Sequence, residues 1–412
     1  MKWNNQNRIE IKTLDDEDLD EMDDCEIEIE DDDVIPNAPS NSEFKELDVE
    51  EVIVDTDYII VNSTPEKTPS KVENSNSKNN AKKKLTEEEL VKEWQDEILP
   101  NFDKLKDTEM VKNMIMTQVP KKLRGSIWRV SSGNPASISQ DYYQLLVWKG
   151  GRLADVVLKK VEIERAGQPE HDSEYLRTKI EYNMMVMKPG VSREDSVSII
   201  ENDLPRTFPT FDFYNQDTES GVNHINQLRR ILRAFAVMRP DIGYVQGMSY
   251  LAAFLLLEND EFQTFVLFHN LLIKSQILTF YKFEADDIIQ RLKFFRQAFL
   301  VEIPDLCEYF EEEKIDPRNY IYEWIMTIYT RALPINVTKK IWDLYFIDGF
   351  PWLFRAALAI LKIQKEKLLY SDIEEVMKTL KGNCLVASEE QMMETISQVK
   401  LPEWVFEELK DL

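Results

Sequence analysis

The stretch "HINQLRRILRAFAVM" constrains this chain more than any other feature. Ile225, Leu228, Ile231, Leu232 and Phe235 recur at steps of three and four, so they form one stripe along a helix, and Pro240 ends it. The same spacing returns in "DDIIQRLKFFRQAFLVEI", "YIYEWIMTIYTRAL", "VTKKIWDLYFI" and "WLFRAALAILKIQKEKLL". A striped helix cannot bury its apolar face alone, so these segments must pack on one another. Strand-like alternation and hairpin dipeptides are nearly absent, and 11 glycines are few for 412 residues. The pattern predicts an all-α fold, and no repeat recurs at a solenoid period.

The order begins sharply at "LTEEELVKEWQDEIL". Thr86 and Glu89 are spaced as a capping box, and Leu85 and Leu90 as its hydrophobic staple; Leu90, Val91, Trp94 and Ile98 then share one face. What precedes reads differently. From Glu10 to Asp33, 15 of 24 residues are acidic, and self-repulsion opposes a compact fold. "PEKTPSKVENSNSKNNAKKK" has the composition of a polar linker. Two boundaries follow: a disordered acidic segment with linker over 1–84, and a folded domain over 85–412. Between residues 43 and 61 lie two apolar islands, "SEFKEL" and "EVIVDTDYIIVN". They are either collapsed disorder or a short motif that adds a strand to a partner, anchored by Phe44 and Leu47 or by Tyr58 and Val61.

Charge and composition exclude several functions. The formal net charge of −26 argues against nucleic acid or an anionic membrane surface as a partner. Three cysteines (Cys25, Cys307, Cys384) without paired spacing point to a reducing compartment. The opening residues carry no signal peptide, and the apolar run "YLAAFLLL" is too short to span a bilayer, so a cytoplasmic protein is expected. There is no phosphate-cradling G-x-x-x-x-G-K-[ST] and no G-x-S-x-G elbow, and His171, His224 and His269 are too scattered for a zinc site. "SSGN" and "KGGR" read as glycines that end helices. Any catalysis must therefore be completed by a partner.

Three further stretches stand in a fixed order. "VPKKLRGSIWRVSSG" places Arg124 and Trp128 at i and i+4, on one side of a helix. "IENDLPRTFP" holds Asp203, Arg206 and Thr207; Pro205 opposes a helix running through it, which leaves the arginine on a proline-braced irregular segment. "GYVQGMSYLAAFLL" sets Tyr244 and Gln246 ahead of Gly247, where a strongly apolar helix begins. These stretches resemble the R-x-x-x-W, I-x-x-D-x-x-R-T and Y-x-Q-G-M signatures of the TBC domain family, the Rab GTPase-activating proteins. The likeness covers about 120–380, including "IYEWIMTIYTRALPINVTKKIWDLYFIDGFPWLFRAALAILK".

The resemblance implies an all-α, TBC-type fold of two helical halves and a GTP-bound Rab GTPase as partner. It implies that Arg206 and Gln246 enter the partner's active site in trans. An arginine neutralises charge on the phosphoryl oxygens, and its planar fork suits them better than a lysine. A side-chain amide offers an attacking water both an acceptor and a donor. Asp203 is placed either to aim Arg206 or to cap a turn. Thr207, Tyr244 and Gly247 support the two motifs. Trp128 is expected to fill core and Arg124 to pair internally, and Trp324, Trp342 and Asp343 to pack or cap. No cofactor is held by the chain, since GTP and Mg²⁺ come with the partner, and the location is peripheral at endomembranes through that partner. Two rivals are a catalytically silent Rab-binding scaffold and a helical adaptor acting through its N-terminal motifs. The adaptor would lose function on removal of 1–84; the activator would keep it.

Overall fold

The computed structural model describes residues 86–165, 177–179, 193–274, 276–282, 285–381 and 388–409. The acidic segment, the islands between 43 and 61, Leu85, Cys25, His171 and Cys384 lie outside them. Among the described residues there are helices and turns but no strand.

The chain enters through α1 (Glu87–Glu93). The Thr86 hydroxyl accepts the Glu89 N–H at 3.2 Å, and the Glu89 carboxylate accepts the Thr86 N–H at 2.9 Å, which completes the capping box. The winding then loosens into a π turn at Trp94–Ile98, whose Trp94 and Ile98 are fully buried. Next come α2 (Glu109–Thr117), α3 (Arg124–Ser132), α4 (Gln140–Arg165), α5 (Arg193–Asp203), α6 (Glu219–Met238), α7 (Met248–Leu256) and α8 (Glu261–Lys274). All five stripe residues of α6 are buried. Apolar on every side, α7 is the central helix of this first half.

The second half runs through α9 (Ile277–Lys282), α10 (Ala285–Glu302), α11 (Pro304–Glu312), α12 (Ile321–Met326), α13 (Ile335–Asp348) and α14 (Pro351–Leu369). It closes with α15 (Ile373–Lys381), α16 (Glu389–Gln398) and α17 (Glu403–Leu409). Here α14 takes the central place, with Ala356 to Leu361 wholly buried.

Three sequence expectations change. Gly133 does end α3, at a φ of 63°, but Gly150 and Gly151 sit inside α4 rather than after a helix. A Cβ on Gly150 would lie 3.1 Å from the Arg233 backbone, so this glycine lets α4 press against α6. The "IENDLPRTFP" stretch is not irregular throughout: α5 persists to Asp203, and only then does Pro205 shift it into a 3₁₀ turn at Leu204–Arg206. Lastly, the helical stripe of "YIYEWIMTIYTRAL" breaks after Met326, with Ile328 and Tyr329 at φ of 43° and 62°. Left-handed backbone is costly at a β-branched residue, and distant partners hold it. The Trp342 indole donates to the Ile328 carbonyl at 2.9 Å, and the Tyr329 hydroxyl donates to the Leu353 carbonyl. A buried turn is as apolar as a buried helix, so periodicity could not separate them.

Candidate functional site

Asp203, the last residue of α5, organises the site. Its side chain is buried, and its two carboxylate oxygens face different loops. Oδ1 accepts from the Arg206 guanidinium, with Nε at 2.8 Å and Nη2 as a second donor. Oδ2 accepts from the Tyr244 hydroxyl at 2.6 Å and from the Gly247 N–H at 3.2 Å. One carboxylate thus joins the arginine loop to the glutamine loop, although Gly247 lies 44 positions further on.

Both loops are fastened from behind. The Thr207 hydroxyl is hydrogen-bonded to the Asp203 carbonyl and to the Ser249 hydroxyl, each at 2.7 Å. The Tyr244 N–H donates to Ser196 Oγ of α5 at 3.0 Å, and the Ser249 N–H donates to the Tyr244 hydroxyl at 3.2 Å. Burial, reinforced by the Asp203 charge, raises the Tyr244 phenol well above its ordinary range, which keeps it protonated and donating. Gly247 precedes α7 at a φ of 98°, a left-handed position that suits only glycine without strain.

Against this buried frame, two groups stand out into solvent. The Arg206 side chain is 52% exposed. Gln246 is exposed, and its amide makes no hydrogen bond to a described residue. They share a groove with Tyr250 of α7 and with Tyr322, Glu323 and Arg331 of the second half. Glu323 and Arg331 form an ion pair of 2.7 Å there. A guanidinium and a free amide side by side can receive an anionic oxygen and orient a water. Among the described residues, no group of three or more His, Cys, Asp or Glu is placed to hold a metal ion.

Arg124 and Trp128 go elsewhere. Arg124 Nε donates to both carboxylate oxygens of Asp343 on α13, at 3.0 and 3.2 Å, and the Trp128 indole donates to Oδ1 at 2.9 Å. Trp128 packs against Phe254, Trp342 and Phe346, with ring centroids 5.2 to 6.2 Å away. This is an internal clamp between α3 and α13. Trp324 is also core, donating its indole to the Leu380 carbonyl. Sequence reasoning missed Tyr250, Glu323 and Arg331. A signal existed for Arg331: a lone cation in the apolar run "IYTRALP", three residues before a proline.

A family description, RabGAP-TBC (Rab-GTPase-TBC domain), matches residues 121–369. The chain belongs to the TBC domain family. TBC1 domain family member 12 of Xenopus tropicalis is 30% identical over 293 residues, which cover 70% of this chain and 39% of that protein. Human TBC1 domain family member 14 is 30% identical over 282 residues, covering 68% and 37%. The chain thus spans about two-fifths of the length of these relatives. Drainin of Dictyostelium discoideum is 27% identical over 336 residues, covering 77% of this chain and 76% of its own. Two solved structures share the fold. The Chlamydomonas flagellar RabGAP TBC domain has a TM-score of 0.54 at 22% identity, covering 76% of this chain and 91% of its own. The Ypt/Rab-GAP domain of Gyp1p has a TM-score of 0.51 at 18% identity, covering 73% and 96%. The all-α TBC fold follows from the family match and the helices together.

Proposed function

We propose that this TBC domain accelerates GTP hydrolysis by a GTP-bound, Rab-type small GTPase, completing that partner's active site in trans. Arg206 would neutralise charge building on the phosphoryl oxygens, and the Gln246 amide would hold the attacking water. The gain asked of such an arginine is about 10³–10⁵ in rate, or roughly 4–7 kcal/mol. GTP and Mg²⁺ arrive with the partner. The chain would be drawn to endomembranes through that partner; among the described residues no helix is long and apolar enough to cross a membrane.

One observation carries the reading: a buried carboxylate fastens both loops, yet the guanidinium and the amide project into the same groove. A group that acts in trans needs this combination, because catalytic gain depends on placement while access depends on exposure.

The test is phosphate release from a panel of purified, GTP-loaded Rab proteins, with and without this protein. The expected result is acceleration of at least one member, retained within several-fold when residues 1–84 are removed. Binding to a GTP-loaded Rab without acceleration would replace the activator by a silent scaffold. Function that disappears with residues 1–84, in a protein that stays folded, would favour the adaptor.

A further inference from the structure

We propose that Tyr250 is a positioning residue for Arg206, and that Arg331 holds Tyr250 in place from the second half of the domain. The proposal rests on the reading above, that Arg206 acts on a partner's phosphate.

Asp203 grips the head of Arg206 but does not define the peptide plane behind it. Two bonds hold that plane: the Thr207 N–H donates to the Leu204 carbonyl at 3.3 Å, and the Tyr250 hydroxyl donates to the Arg206 carbonyl at 2.8 Å. The backbone next turns sharply, since Phe208 has a φ of 50°, in a left-handed region that a bulky residue occupies only when its surroundings impose it. Those surroundings are aromatic. The Phe208 ring stands edge-on to Tyr250 with centroids 5.3 Å apart, and packs on Phe211 at 5.3 Å. Tyr250 therefore touches the loop on both sides of Thr207. It rises from the first turn of α7, whose Met248, Ser249 and Leu251 are buried, so its base is rigid.

The outer face of the Tyr250 ring meets Arg331, whose guanidinium carbon lies 5.3 Å from the ring centroid. Arg331 is itself paired with Glu323 and follows the turn that carries the left-handed Ile328 and Tyr329. A cation over a phenol ring is attracted to its π face, which restrains the ring. Burial raises the Tyr250 phenol above its ordinary range although Arg331 and Arg206 pull the other way, so the hydroxyl remains a donor at neutral pH. Strain appears twice around this contact, once in each half, and an error of about 1 Å in such a loop can cost around 100-fold in rate.

The experiment compares Tyr250→Phe with wild type, first checking that wild type accelerates its GTPase. Losing one hydroxyl while keeping the ring should lower the rate at saturating partner by about five- to tenfold, the equivalent of one net hydrogen bond, with half-saturation changed less than twofold. In an Arg206→Ala background the same change should do nothing further, because the brace acts only through the arginine. Tyr250→Ala, which also removes the ring, should lose more than Tyr250→Phe. Hydrogen exchange gives a readout independent of any GTPase: the Thr207 amide should exchange several-fold faster in Tyr250→Phe, with the melting temperature lowered by no more than about 4 °C. An effect confined to half-saturation would make Tyr250 a partner contact and overturn the proposal. So would an equal loss in both backgrounds, or unchanged Thr207 exchange. If wild type accelerates no GTPase while Thr207 exchange responds as expected, the activator reading fails and the brace stands.

Discussion

Arg124 with Asp343 and Arg206 with Asp203 are built from the same parts. Each is an arginine on a buried aspartate whose carboxylate also accepts from an aromatic side chain, the Trp128 indole in one and the Tyr244 phenol in the other. They differ in where the guanidinium ends. The Arg124 side chain is 7% exposed and that of Arg206 is 52% exposed, over carboxylates that are 0% and 1% exposed. In the clamp, every charge faces inward and ties α3 to α13. In the groove, only the acceptor is buried, and it aims a cation outward. The carboxylate geometry alone would not tell the two apart; access to solvent does.

The largest expected effect would break this contrast most directly. Arg206→Ala should lower GTPase activation by about 10³–10⁵. Arg206→Lys sharpens the test, because it keeps a positive charge beside Asp203 and preserves the fold. It should still fail, since a compact ammonium cannot reproduce the planar fork. A lysine variant retaining more than a tenth of the wild-type rate constant would remove the distinction between the two arginines.

The clamp should respond in the opposite currency, stability. Arg124→Ala strands a buried carboxylate, and Trp128→Ala empties a core position; each should cost about 3–5 kcal/mol, seen as a lowered melting temperature or poor solubility. If either variant melts normally and loses all turnover, the clamp belongs to the site and the contrast fails.

Gln246→Ala should lower turnover by about 10²–10³, the typical cost of removing one transition-state donor, while affinity for the GTP-bound partner stays within several-fold. Its amide has no partner among the described residues, so thermal stability should not change. Alanine in place of the partner's own switch glutamine should be tolerated. A Gln246→Ala protein of full activity would leave only the arginine half of the mechanism.

The smallest effect lies beside the clamp. Lys340, one turn before Asp343, is buried with its ammonium 3.5 Å from the Thr117 carbonyl, and burial pulls it below its ordinary 10.5. A lysine whose folded value is depressed binds its proton more weakly in the native state. The penalty is present in full below the folded value and disappears as pH rises to 10.5. Lys340→Met should therefore melt at or slightly above wild type at pH 7, with the gap closing as the pH approaches 10.5. A variant that melts lower at pH 7 would show that the contact to Thr117 and the attraction of Asp343 and Glu389 together outweigh the desolvation.

Much of this could be read before any coordinates. The α6 stripe, the Thr86 box and the apolar helix that begins at Gly247 are local patterns, and all three appear in the structure. The reading faltered where neighbours far along the chain decide local shape. Gly150 serves a close approach to Arg233 rather than a helix end, and the turn after Met326 is held by Trp342 and Leu353. Tyr250 and Arg331 escaped notice because their significance lies in the loop they touch, not in their own spacing.

Periodicity and capping are properties of a few consecutive residues, so helical class, the capping box at Thr86 and the order of the motif loops were available from the chain itself. Exposure is a property of everything that packs nearby. Arg124 meets Asp343 across 219 positions, and Asp203 reaches Gly247 across 44. Only the packed helices decide which arginine is sealed inside and which is held out to solvent, because solvent access is set by the surfaces that close around a side chain rather than by the letters beside it.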